Sequence, residues 1–160
     1  MSIITVSEGR AIALRVNRVA TKEEHFVYIA IANKLISYPS GAKSKIVYIG
    51  QTRKGVSRLL SSATKSARKL LPSNKKKGTP RITSLTYYIV VPRKTQGTQS
   101  WKLLETALLS EFKLWYGDVP KANVQGKKYN FDVPAVIHAR NFFTPGKLKT
   151  IIERYSHIEE

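Results

Sequence analysis

Two tyrosines in strand-like segments, an arginine heading a basic helical stripe and a glutamate inside an apolar helical stripe have types and spacing suited to chemistry on a phosphate ester. The tyrosines come first. Strand alternation puts Phe26, Tyr28 and Ala30 on one face and Val27, Ile29 and Ile31 on the other. By the same rule Ile46 and Tyr48 oppose Val47 and Ile49. With the apolar pairs turned to the core, both phenols lie on the opposite face of a hairpin and converge. A phenol there can hold a water molecule or accept its proton. Tyrosine also suits strands for packing alone. Gly50 ends the second segment and permits a close backbone approach, on this reading by a phosphate.

Arg58, Ser62, Lys65 and Lys69 stack on one face when residues are placed about 100° apart, nearly opposite Leu60, Ala63 and Ala67. A guanidinium at the head of that stripe can grip a phosphate through two hydrogen bonds and offset charge growing in a transition state. A solvated basic face is the plainer account of Lys65 and Lys69. Glu105 has Trp101 and Leu109 four residues to either side and Leu108 three residues on, so a carboxylate interrupts an apolar stripe. Burying it ionised and unpaired costs roughly several kcal/mol. A divalent cation, a protonation or an ion pair with Arg58 or a lysine would compensate. Glu111, on the flank of the same helix, reads as solvated.

In order, these segments are His25-Phe26-Val27-Tyr28-Ile29, Lys45-Ile46-Val47-Tyr48-Ile49-Gly50-Gln51-Thr52, Arg58, Glu105 and Asn123. The set resembles the GIY-YIG nuclease superfamily over residues 25–125. The resemblance implies an α+β fold, a small central three-stranded antiparallel sheet flanked by helices. It also implies a divalent-metal-dependent DNA endonuclease using Mg2+ or a similar ion. Water would attack phosphorus while Tyr28 or the metal assists its deprotonation. Tyr48 would position the phosphate, Arg58 neutralise it, Glu105 hold the ion and Asn123 help order the site. The chain departs from the family at Ser62, where members often carry histidine or tyrosine; serine is no unaided base near neutral pH. His25 is an alternative base. The long separation of the two tyrosines favours the restriction-type branches, which implies double-stranded DNA as partner and a homodimer on a palindromic site. Repair, homing and interbacterial killing are alternative roles for such a nuclease. The rival class is a non-catalytic nucleic-acid binder, which has no evident need for Glu105.

Composition supports a polyanionic partner. Lys and Arg number 28 against 10 Asp and Glu, a formal net charge of +18. A domain this basic repels itself unless an anion compensates. The low-complexity run Ser73 to Gly78, with Lys75, Lys76 and Lys77, and the face carrying Lys65 and Lys69 are expected to contact phosphates. No apolar run is long enough to span a bilayer, and Met1 to Thr5 lacks a signal-peptide layout. The absence of cysteine removes disulfides and thiolate zinc sites and fits a reducing cytoplasm.

The elements that must position these groups follow from periodicity. Strands are expected over 25–32, 45–52 and Leu85 to Val91, with a weaker signal over 11–19. Tyr38-Pro39-Ser40-Gly41 supplies a turn between the tyrosine strands. Helices are expected from Val56 to Leu71, from Trp101 to Trp115 with Ser100 as N-cap and Gly117 as stop, and from Thr144-Pro145 onward. There is no internal repeat, and residues 1–160 read as one domain.

Overall fold

The computed structural model describes residues 3–7, 13–16, 22–71, 82–92, 99–123 and 133–158. The elements run β1 (Ile3–Ser7), β2 (Ala13–Val16), β3 (Phe26–Ser37), β4 (Lys43–Thr52), α1 (Gly55–Leu70), β5 (Ser84–Val90), α2 (Ser100–Tyr116), α3 (Val133–Phe142) and α4 (Pro145–Ser156). The fold is α+β. The three expected strands pair antiparallel as β5-β3-β4, and β1 and β2 extend them into a five-stranded sheet of order β2-β1-β5-β3-β4.

β3 lies between two neighbours, and Phe26 through Ala32 are all buried. A strand apolar on successive residues must be covered on both faces. The Tyr87 hydroxyl donates to the Ala63 carbonyl of α1, whereas Tyr88, on the opposite face, packs against Tyr155 of α4 with ring centroids 5.0 Å apart. The phenol face is therefore no open surface, as the alternation argument had it. Phe26 and Ala30 share it with Tyr28, and α1 closes it with Leu59, Ala63 and Ala67.

The hairpin turn falls where expected: Gly41 has φ 84° and its N–H donates to the Tyr38 carbonyl at 3.0 Å. A register shift then alters the pattern of faces. Ala30 pairs with Tyr48 but Ile31 pairs with Ile46, leaving Val47 as the extra residue of a bulge. Ile46 and Tyr48 thus face opposite sides of the sheet, not the same side. The helices keep their expected centres. Gly117 ends α2 at φ 78°, and its N–H donates to the Lys113 carbonyl at 2.9 Å. The N-cap of α2 is Gln99, with Ser100 buried inside the first turn instead. Glu111 is buried, not solvated, and accepts a hydrogen bond from the Trp115 indole at 3.1 Å. Among the described residues no helix is long and apolar enough to cross a membrane.

Candidate active site at the outer edge of β4

β4 is an edge strand, so its outward N–H and C=O groups need partners from elsewhere. They find them at three alternate residues. The Val47 carbonyl accepts from the Ala122 N–H at 2.8 Å. Ile49 is held twice: its N–H donates to Asn123 Oδ1 at 2.8 Å, and its carbonyl accepts from Asn123 Nδ2 at 2.6 Å. The Gln51 N–H supports the Glu105 carboxylate. Asn123 thus acts as a one-residue strand, and Glu105 reaches the same edge from α2.

Gly50 sits between those anchors. It pairs with Tyr28 across β3 and β4. A Cβ built on Gly50 would lie 2.5 Å from Tyr48 Cε1 and 2.9 Å from both Cζ and the hydroxyl oxygen of Tyr28. The close approach that glycine permits is therefore made by the two tyrosine rings, not by a phosphate. Those rings stack with centroids 5.7 Å apart and an interplanar angle of 27°. Tyr28, buried along its ring, passes its hydroxyl over Gly50 toward the outer edge, where Ser62 and Tyr48 are its hydrogen-bonding partners.

α1 supplies the other wall. Its apolar residues Leu59, Ala63, Ala67 and Leu70 are buried, while Arg58, Lys65 and Lys69 are exposed. Between them Ser62 is buried against the tyrosines. Tyr48, Arg58, Ser62, Lys65, Lys69 and Asn123 all line one cavity of about 230 Å3. It shares Lys69 and Ala122 with a neighbouring cavity of about 630 Å3 that also carries Lys121 and Asp118. A concave wall with an arginine, two lysines, a phenol and a hydroxyl can hold a phosphate group and stabilise added negative charge.

Burial pushes the Tyr28 phenol above its ordinary range, the Glu105 charge adds to that rise, and Ser62, Tyr48 and Arg58 oppose it. The phenol consequently stays protonated at neutral pH and keeps a proton it can donate; as the base expected from the sequence it is poorly suited. Glu105 is partly buried, and burial pushes its carboxyl up to about 7, with the Gln51 N–H opposing. Among the described residues Glu105 forms no ion pair with Arg58, so the compensation by ion pairing considered above does not operate. No three His, Asp or Glu side chains gather into a metal cage among the described residues. A single carboxylate can still hold a magnesium-like ion that completes its shell with water and phosphate oxygens. One further oxygen fits that demand: Gln51 Oε1 is buried and has no hydrogen-bond partner among the described residues.

The fold brings Tyr28, Tyr48, Gly50, Arg58, Ser62, Lys65, Lys69, Glu105 and Asn123 to one end of β4 and the facing side of α1. Lys75, Lys76 and Lys77 lie outside the described residues. His25 packs at a tilt against Trp101, with ring centroids 4.2 Å apart, and does not line the basic cavity. Sequence reasoning overlooked Gln51 and Trp101. β4 runs on through Gln51 to Thr52, past the glycine expected to end it; glutamine there carries no signal in its type, and Trp101 read as stripe rather than site. Searches of family models, curated proteins and solved structures found no match to this chain.

Proposed function

We propose that the protein is a divalent-metal-dependent endonuclease that hydrolyses phosphodiester bonds in double-stranded DNA, of the GIY-YIG type, with a stand-alone restriction-like role. One observation carries the reading: Tyr48, Arg58, Ser62 and Asn123 line a single basic cavity, and Tyr28 links that cavity electrostatically to Glu105. Residues far apart in sequence thereby line one space with room for a phosphate group, and Glu105 stands outside its lining. A divalent cation at Glu105 would supply a Lewis acid and lower the pKa of water toward neutrality.

The chain's own groups divide the remaining work. Arg58 is exposed, so it can pair with an incoming phosphate without first leaving a protein carboxylate. Its guanidinium stabilises the negative charge that gathers on the phosphate oxygens as the nucleophile attacks. Tyr28 and Tyr48 donate hydrogen bonds from their fixed, stacked rings and orient water or phosphate oxygen. Ser62 holds the Tyr28 hydroxyl in place, which gives the serine a positioning role where the family commonly has a base. Lys65 and Lys69 attract the backbone along the groove. Asn123 shapes the cavity through its two bonds to Ile49.

Incubating the purified protein with several plasmids, with magnesium or with chelator, tests the reading. Discrete, magnesium-dependent fragments are expected. Binding without any cleavage across a panel of metals would instead favour the rival reading of a basic architectural protein.

A further inference from the structure

Glu105 does not stand alone at its end of the sheet. Gln51, whose N–H supports the carboxylate, has a buried side-chain oxygen with no partner among the described residues. Trp101, one helical turn before Glu105 on α2, has a buried indole N–H in the same condition. A buried unpaired acceptor and a buried unpaired donor each carry the desolvation cost of a missing hydrogen bond. One belongs to the residue whose backbone supports the carboxylate, the other to the residue one helical turn before it, and they are opposite in kind. A hydrated cation would satisfy all three groups together: the carboxylate and the amide oxygen can ligate a hard ion, and the indole N–H can donate to the oxygen of a coordinated water.

We infer that Gln51 is the second protein ligand of a divalent-cation site at Glu105, its amide oxygen binding the ion directly while the Trp101 indole N–H holds a coordinated water. This deepens the nuclease reading and rests on it. It assigns the ion a position between the end of β4 and the first turns of α2. It also gives a reason for a polar residue at position 51, which pairs with buried Val27 on the face of the sheet that carries Tyr88, opposite α1. A single water bridging Gln51 and Trp101 is the competing account of the two unpaired groups.

Terbium, a luminescent stand-in for hard oxygen-ligated cations, separates these accounts. Trp101 is a built-in antenna beside the site. The other tryptophan, Trp115, is 14 residues further along α2, about 21 Å at 1.5 Å per residue. Tryptophan-sensitised Tb3+ emission should saturate with wild-type protein. Gln51→Met, which keeps length and volume but removes the oxygen, should weaken binding by about tenfold or more, the scale on which metal sites respond to lost partners. Luminescence lifetimes in H2O and D2O should then report roughly one additional coordinated water. Gln51→Glu should bind more tightly than wild type, which guards against loss of binding through misfolding. Binding by Gln51→Met within about twofold of wild type, with Glu105→Gln abolishing it, would overturn the assignment of Gln51 and leave the Glu105 site standing. Absence of Tb3+ binding to the wild type, with Mg2+ likewise silent in calorimetry, would overturn both.

Discussion

Asn123 offers its side-chain amide to Ile49 as though it were a neighbouring strand, accepting from the N–H at 2.8 Å and donating to the carbonyl at 2.6 Å. This pair closes the edge of β4 immediately before Gly50, and so fixes the strand over which the Tyr28 hydroxyl emerges. Asn123→Leu should leave two buried backbone groups unsatisfied and destabilise the protein by about 2–4 kcal/mol. Urea titration measures this. Asn123→Asp retains the acceptor but sets a carboxylate against the Ile49 carbonyl, so it should be no better than the leucine variant.

Gly50→Ala isolates the packing of the tyrosines. The added methyl meets Tyr48 at 2.5 Å and the Tyr28 hydroxyl at 2.9 Å, so the rings must move. Overpacking of this kind costs about 1–3 kcal/mol. Near-ultraviolet circular dichroism should change while far-ultraviolet signal persists, and cleavage should fall more than stability does.

Tyr28→Phe should reduce cleavage by about 10²-fold, whereas Tyr88→Phe, on the opposite face against Tyr155, should have little effect. Because burial holds the Tyr28 phenol protonated, the loss should be uniform across pH 6–9 (roughly the accessible range). A loss confined to the alkaline side would mean that the phenolate is the active form, and Tyr28 would be a base after all.

Much of this arrangement was legible in the sequence. The stripes of α1 and α2, the stop at Gly117 and the turn at Gly41 follow from local chemistry, and the structure has them there. The faces of the tyrosines were half legible. Alternation put Tyr28 correctly opposite Val27 and Ile29, but nothing in the apolar run Ile46-Val47-Tyr48-Ile49 marks Val47 as bulged, and the bulge moves Ile46 to the other side from Tyr48. Burial of Tyr28 depends on α1 crossing its face, a tertiary fact that no single strand encodes. α3 escaped notice because Val133–Phe142 leaves Ile137 and Phe142 exposed and so presents no clean apolar stripe. Glu111 was misjudged because its indole partner, Trp115, is itself part of the apolar stripe.

The raised pKa of Glu105 has two opposite consequences for pH. Its folded value of about 7 lies above the ordinary carboxylate value of 4.5, so folding is favoured while the group is protonated and is penalised as pH rises through 7. In chelator, Glu105→Gln should therefore be more stable than wild type at pH 8, by on the order of 1–3 kcal/mol after allowance for solvent screening, and equal to it below about pH 4. The proposed cation binding would run the other way: it requires the ionised carboxylate, so apparent Mg2+ affinity should fall as pH drops below about 7. Cleavage lost at pH 6 should return on raising magnesium. Thermal melts with and without Mg2+ across this range check both signs.

The central claim is that Glu105 serves the chemistry and not the fold, and one paired assay on wild type and Glu105→Gln tests it. Plasmid cleavage in magnesium and duplex affinity in chelator are measured on the same preparations. The account predicts that the variant loses cleavage by at least about 10³-fold, keeps duplex affinity within about threefold, and folds as stably as wild type or more so. Cleavage at near wild-type rate by a folded Glu105→Gln variant would contradict it.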